Sequence, residues 1–221
     1  MTAATVRVLA LDVDRLRGSR PGLLRVLRDT APDVALLSHV PVHPLSRHRL
    51  GALASDVGLL VAVGGPETAG AAVLVSLRAE PTATQTYRGG GGGAALAELR
   101  LTAGQRFRVG VVDTRGDDEA RATAAGDVLA LLGPGDDTPT VLAGDLPGSA
   151  GGDVLARRLA DLTPGTGATT PADRPRVRPR GLLGGAATAR PLDLPGAVGA
   201  RPDLLSRVTP SRPDLVELVL P

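Results

Sequence analysis

Apolar runs and helix-forming stretches alternate along the first part of the chain. Residues 6–12 (VRVLALD) predict a buried strand, and the residues after Ser19, where Pro21 precedes clustered Leu and Val, predict a helix. Residues 33–38 (DVALLS) predict a second buried strand. A strand, a helix and a strand within about 35 residues are typical of a βαβ opening.

The middle of the chain carries shorter runs separated by turn-forming residues. The pattern predicts a helix over residues 46–54 and four strands, over residues 59–63, 71–76, 95–101 and 107–112. The five-glycine run at residues 89–93 is neither a Walker loop nor a GxGxxG motif, and indicates a flexible hairpin connection. Residues 117–132, which are acidic at the start, predict a helix leading into an apolar strand from Thr140.

The last part of the chain is dense in Pro, Gly and Arg over residues 163–213, and ends in an alternating segment at 214–220 that we expect to close a sheet. Strand–helix units mixed with hairpins favour sheets covered by helices over a purely parallel, doubly wound sheet. A length of 221 residues, 43% of them hydrophobic, allows one sizeable core. We therefore expect a single α/β domain over residues 1–221.

The charge balance gives little support to a polyanion partner. All 25 basic residues are arginine, and the formal net charge is only +2. The sequence pI of about 10.2 reflects missing titratable groups, because the chain has no lysine, no cysteine and one tyrosine. With one Phe, one Tyr and no Trp, stacking on nucleic acid bases is nearly excluded.

The absence of cysteine and of membrane-targeting signals excludes further classes of protein. Without cysteine, the chain has neither disulfides nor a thiol nucleophile. Arg7 and Asp12 come too early for a signal peptide, and no stretch approaches about 20 uncharged apolar residues. We expect a cytoplasmic protein that does not insert into a membrane.

Three aspartates stand at the ends of predicted strands: Asp12, Asp113 and Asp145. Asp145 ends the run TVLAGD and precedes Leu-Pro-Gly, a common way for α/β enzymes to present a carboxylate. Carboxylates gathered on one sheet edge suit Mg²⁺, which takes oxygen ligands. Strand ends also carry Asp for turn and cap geometry, and that explanation is favoured for each aspartate taken alone.

Histidine and arginine supply the remaining candidates. His39 directly follows an apolar strand and is the histidine we place near a site. His43 and His48 are interpreted as incidental, because prolines interrupt any helix and no HExxH motif exists. Arginine alternates with other residues at four positions, Arg174, Arg176, Arg178 and Arg180. In an extended segment these side chains share one face and could bind phosphates. The alternative, a solvated loop, is favoured. A GxSxG motif is absent, so no serine-based catalytic arrangement is supported.

Taken in order, these landmarks resemble the endonuclease/exonuclease/phosphatase superfamily, whose members hydrolyse phosphate esters with Mg²⁺. The resemblance covers nearly the whole chain and rests on the order and hydrophobic framing of the motifs. It implies a four-layer α/β sandwich, in which two mixed β-sheets pack together and are flanked by helices.

The polar residues expected at these motifs are mostly replaced. Asp12 stands where the family has a catalytic Asn, and Ser38-His39 stand for its Gln and metal-binding Glu. Arg115 replaces the His of a Thr-His strand end. Gly144-Asp145 match the start of a Gly-Asp-x-Asn motif. Later replacements are Pro147 for Asn, Pro179-Arg180 for Ile-Asp, and Ser211-Arg212-Pro213 for Ser-Asp-His.

These replacements change the chemistry that the resemblance implies. Exchanging Glu for His39 removes an anionic oxygen ligand, and Arg115 and Arg180 add positive charge where a cation should sit. Pro213 cannot transfer a proton. The chain contains no Asn at all. Of the expected polar residues, only Asp145 is retained in identity.

Three hypotheses follow. The first is a pseudoenzyme without a cofactor that keeps the fold for binding a phosphate-containing ligand or a protein partner. The second is an active, metal-dependent phosphoric ester hydrolase, with Mg²⁺ or Mn²⁺ or a softer ion such as Zn²⁺ on Asp12, His39 and Asp145. The third is a polyanion-binding module that uses Arg115 and the arginines of residues 174–180.

Overall fold

The computed structural model describes residues 4–90, 92–133, 138–145, 155, 160–161, 182–184, 188–192 and 214–220. Of residues 145, 160–161, 182–184, 188–192 and 214, the backbone alone is described. This part of the chain forms two six-stranded sheets. It also contains the helices α1 (Arg20–Thr30), α2 (Ser46–Asp56) and α3 (Asp118–Leu131) and the short 3₁₀ turns Asp14–Leu16 and Pro66–Thr68.

The first sheet contains the strands β1 (Ala4–Asp12), β2 (Val34–Ser38), β3 (Leu60–Gly64), β4 (Ala72–Val75), β11 (Thr188–Leu192) and β12 (Asp214–Leu220). Their order across the sheet is β11-β12-β1-β2-β4-β3. The second contains β5 (Ala79–Gly89), β6 (Gly92–Leu101), β7 (Arg106–Thr114), β8 (Thr140–Asp145), β9 (Ala160–Asp161) and β10 (Leu182–Gly184). Their order is β5-β6-β7-β8-β10-β9.

Each sheet is mixed and contains one parallel pair among its described strands. In the first sheet β1 runs parallel to β2, and Asp12 is in register with Ser38. In the second β7 runs parallel to β8, and Asp113 is in register with Asp145. Because parallel strands end on the same edge, each pair delivers its last residues to one edge of its sheet.

The described elements pack in four layers. Aliphatic side chains from both sheets form the central core, which includes the fully buried Phe107. A second cluster lies between the first sheet and helices α1 and α2. A third lies between the second sheet and α3. The sandwich predicted from the sequence is thus confirmed.

The helix boundaries follow from capping. The Ser19 hydroxyl accepts a hydrogen bond from Gly22 N at 3.2 Å. Helix α1 ends at Thr30 and is capped by Ala31, which adopts a left-handed conformation before Pro32. Asp117 caps α3 by accepting from Ala120 N at 2.9 Å. Two acidic residues in the first turn of α3 favour the same start.

The predicted helices and strands are confirmed to within a few residues, but strands β5, β9, β10 and β11 were not predicted and part of the glycine run was misassigned. Strand β5 is missing from the sequence prediction, because seven successive residues, 80–86, are exposed and carry no hydrophobic alternation. The glycine run is not simply a flexible connection: Gly92 and Gly93 belong to β6. A Cβ would overlap the Asp113 carbonyl at Gly92 and the Thr68 carbonyl at Gly93, so close backbone packing requires glycine there.

Among the described residues, no helix combines the length and the apolar character needed to cross a membrane.

Candidate functional site

The ends of β1, β2 and β7 meet at one edge of the sandwich. β1 delivers Asp12, β7 delivers Asp113, and His39 follows β2 directly. Asp12 is 6% exposed and Asp113 is fully buried. Two buried carboxylates need compensating partners, since an unpaired charge is costly away from water.

His39 lies between the two carboxylates. Its Nδ1 is 3.1 Å from Asp12 Oδ2, and its Nε2 is 3.9 Å from Asp113 Oδ1. Its backbone N–H donates to Asp113 Oδ2 at 3.3 Å. The other oxygen of Asp12 accepts from Asp14 N at 2.9 Å. His39 therefore joins the edges of the two sheets through both its ring and its backbone.

Arg115 compensates the Asp113 carboxylate from the other side. Its Nε donates to Asp113 Oδ1 at 3.3 Å, and its Nη2 donates to Oδ2 at 3.2 Å. The same Nη2 donates to the Ala69 carbonyl at 2.5 Å. The forked guanidinium of Arg115 thus binds both oxygens of a fully buried carboxylate, while 40% of the Arg115 side chain remains exposed.

The loop between the 3₁₀ turn Pro66–Thr68 and β4 completes this edge with its backbone. Val40 N donates to the Gly70 carbonyl at 2.8 Å, which ties the loop to the segment after β2. Gly70 has a φ of 115°, and a Cβ there would meet Asp113 Oδ2 and lie 2.8 Å from Arg115 Nη2. Only glycine fits against the carboxylate–guanidinium pair at this position.

Backbone strain is concentrated at the same edge. Six non-glycine residues of the described part have a left-handed φ, and one of them, Ala31, caps a helix. The other five lie in the segments around the carboxylates: Asp14, Arg15, Leu16, His39 and Ala69. Arg15 N donates to the His39 carbonyl at 2.6 Å and holds two strained segments together. Such conformations cost about 1–3 kcal/mol each and cluster at functional sites. They persist only where the surrounding contacts hold the backbone in place, as they do here.

Comparison with solved structures decides the fold. The catalytic domain of human Nocturnin, solved with a bound sulfate anion, matches with a TM-score of 0.76 at 13% identity, over 100% of this chain and 97% of that one. An endonuclease/exonuclease/phosphatase family protein from Bacteroides thetaiotaomicron gives 0.71 at 14%, over 100% and 96%. The mannosyl-6-phosphatase Bt3783 of that species gives 0.67 at 13%, over 98% and 99%. The chain has the endonuclease/exonuclease/phosphatase fold.

Sequence comparison adds nothing to this structural likeness, because neither a protein-family model nor a curated protein sequence matches the chain. At 13% to 14% identity the likeness extends to the fold. What this version of the endonuclease/exonuclease/phosphatase fold can do depends on its own side chains.

Among the described side chains, Asp113 is not free to face the divalent cation that the superfamily resemblance implies. Mg²⁺ needs carboxylate oxygens free to face it. Here Arg115 donates to both oxygens of Asp113, which puts a positive charge within 3.3 Å of each. No group of three or more His, Cys, Asp or Glu side chains in the described part could hold a metal ion.

The structure brings together several residues singled out in the sequence. Asp12, His39, Asp113 and Arg115 meet at this edge of the endonuclease/exonuclease/phosphatase fold. The backbone of Asp145 lies beside Asp113 in the parallel register. The other proposed site residues lie outside the described part: Pro147, Arg174, Arg176, Arg178, Pro179, Arg180, Ser211, Arg212 and Pro213.

Three contributors were missed in the sequence: Asp14, Ala69 and Gly70. Asp14 and Ala69 act through a backbone N–H and a backbone carbonyl, for which side-chain identity gives no signal. Gly70 acts by lacking a side chain. A glycine next to a short apolar strand was the available hint, and it is too common to be specific.

Proposed function

We propose that this protein is a catalytically degenerate form of the endonuclease/exonuclease/phosphatase fold, kept for binding rather than for metal-dependent hydrolysis. One observation carries the proposal: the buried carboxylates at the edge of the sandwich are paired with His39 and Arg115. Both partners are side chains of the protein itself, and the superfamily resemblance implies a metal-binding Glu where this chain has His39.

The electrostatics support the proposal. A cation bound to Asp113 would have to displace the Arg115 fork or share the carboxylate with it. A divalent cation about 4 Å from the guanidinium charge is repelled by about 8 kcal/mol at an effective dielectric constant of 20. Displacing the fork would also break the hydrogen bonds of Arg115 to Asp113 and to the Ala69 carbonyl. Cation binding is therefore opposed both by repulsion and by the loss of structural contacts.

The ligand class we propose is a phosphate-containing molecule. Arg115 Nη1 has no hydrogen-bond partner among the described residues, while Nε and Nη2 are engaged. The outer side of the guanidinium is thus available to an anion. The comparison structures support the same class, since the human Nocturnin domain carries a sulfate anion and one Bacteroides relative in fold is a mannosyl-6-phosphatase.

Hydrolysis assays test the loss of activity. Purified protein is incubated with bis(p-nitrophenyl) phosphate or p-nitrophenyl phosphate in Mg²⁺ or Mn²⁺, beside an Asp145→Ala variant. We expect no release of nitrophenol above buffer for either protein. Turnover by the native protein that Asp145→Ala abolishes would contradict the proposal, because a contaminating enzyme would not respond to that substitution.

A second candidate is an active enzyme with a rearranged metal centre. It is favoured by the orientation of His39, whose Nδ1 is held by Asp12 while its Nε2 points towards Asp113. A carboxylate that orients a histidine in this way is common behind metal-binding imidazoles. This candidate requires Zn²⁺ or Mn²⁺ binding that is lost in His39→Ala and retained in His43→Ala.

A further inference from the structure

A cavity of about 310 Å³ lies on the outer side of the first sheet, between the 3₁₀ turn Asp14–Leu16 and helices α1 and α2. Asp12, His39, Asp113 and Arg115 do not line it, so it is separate from the edge described above. Its volume is at the lower end of the range of small-molecule sites.

The floor of the cavity is aliphatic. Val13, Leu23 and Leu53 line it and are at most 4% exposed, and Leu16 adds a partly buried wall. An apolar group that binds against this floor is removed from water and packs on aliphatic side chains. The floor therefore favours a compact apolar body, at about 25 cal/mol for each Å² of apolar surface that it buries.

The rim of the cavity is cationic. Arg20 and Arg49 line it, and none of the described residues that line it is acidic. Arg49 forms no ion pair with the described carboxylates. Arg20 pairs with Asp56 at 2.7 Å, but both side chains are about half exposed, so this pair is weak and easily rearranged. Two arginines over an apolar floor are complementary to a molecule with one apolar and one anionic end.

We propose that this cavity binds a small amphipathic anion, in which a compact apolar body carries a single carboxylate, sulfonate or phosphate group. The apolar body occupies the floor, and the anionic group faces Arg49 and Arg20. This site does not depend on the proposed function of the carboxylate edge.

Calorimetric titration with naphthalene-2-sulfonate tests the proposal, with 2-naphthalenemethanol as the uncharged probe and inorganic phosphate as the probe without an apolar body. We expect one-to-one binding of the sulfonate, and weaker binding of both other probes. Arg49→Gln should weaken sulfonate binding by about fivefold, as expected for the loss of a partly exposed charge pair. Arg49→Glu should weaken it further.

The matched controls are Arg47→Gln and Arg47→Glu. Arg47 is an exposed arginine on the same helix, pairs with Glu67 and does not line the cavity. These variants should bind the sulfonate within about twofold of the native protein, since Arg47 makes no contact with the site. The proposal is overturned if the native protein does not bind the sulfonate, if the alcohol binds as tightly, or if Arg47 and Arg49 variants lose the same affinity. Thermal unfolding of each variant verifies that it is folded.

Discussion

Replacing Arg115 with Met should destabilise the protein, because it leaves the buried Asp113 carboxylate with fewer partners. Three hydrogen bonds are lost, two to Asp113 and one to the Ala69 carbonyl. Hydrogen bonds to a charged group are worth about 1.5–3 kcal/mol each. The two bonds to Asp113 are long, at 3.2 and 3.3 Å, and 40% of the Arg115 side chain is exposed. We therefore expect a total loss of about 2–3 kcal/mol, below the sum of the three bonds.

Urea unfolding followed by circular dichroism measures this loss, and a thermal midpoint lower by about 5–10 °C should accompany it. Arg100→Met is the matched control, since Arg100 pairs with Glu80 on the surface, where both side chains are about half exposed. It should cost less than about 1 kcal/mol. Asp113→Asn combined with Arg115→Met should be less destabilising than the sum of the single changes, because the pair is coupled. If Arg115→Met costs no more than Arg100→Met, the assignment of Arg115 to the buried carboxylate is refuted.

Three further predictions concern single positions. Gly70→Ala should lower the free energy of unfolding in urea by about 2–3 kcal/mol, because the alanine would have a left-handed φ and its Cβ would meet Asp113. An unchanged unfolding midpoint would contradict this packing. Ser46→Ala should stabilise by about 0.5–1 kcal/mol, because the buried Ser46 hydroxyl has no partner among the described residues, and a loss of stability would show an overlooked one. Burial, together with the hydrogen bond and charge of Asp127, raises the pKa of Tyr87, the single tyrosine of the chain. Titration of tyrosinate absorbance should show that pKa falling in Asp127→Asn; an identical titration curve would refute the contact.

Elements with a buried face could be predicted from the sequence. β1 and β2 contain the apolar runs Val8–Leu11 and Val34–Leu37, and α1 and α3 carry their own capping residues. β5 could not be predicted, because it is an exposed edge strand held by its ladder with β6 rather than by apolar burial. The two misjudged glycines of β6 are fixed by close backbone packing, which no local pattern reveals.

The site could be predicted as a set of residues but not as an arrangement. The sequence identified Asp12, Asp113 and Asp145 as strand-end carboxylates, but parallel pairing brings Asp113 beside Asp145 and Asp12 beside Ser38, so the approach of Asp12 to Asp113 comes from the packing of the two sheets. The placement of His39 between the carboxylates depends on a contact with a residue 74 positions away. The position of Arg115 against Asp113 also depends on its hydrogen bond to the Ala69 carbonyl, which is 46 positions before Arg115 in the chain. Such long-range pairings follow from how the two sheets pack and not from any short motif.

Manganese binding measured by electron paramagnetic resonance tests the central claim, that the carboxylates at this edge are committed to protein partners. The native protein should leave the signal of free Mn²⁺ unchanged. The double variant His39→Glu/Arg115→His, which removes the guanidinium and adds a carboxylate, should reduce the signal in proportion to the protein added. Binding of Mn²⁺ by the native protein at micromolar affinity, lost in Asp113→Asn, would contradict the account.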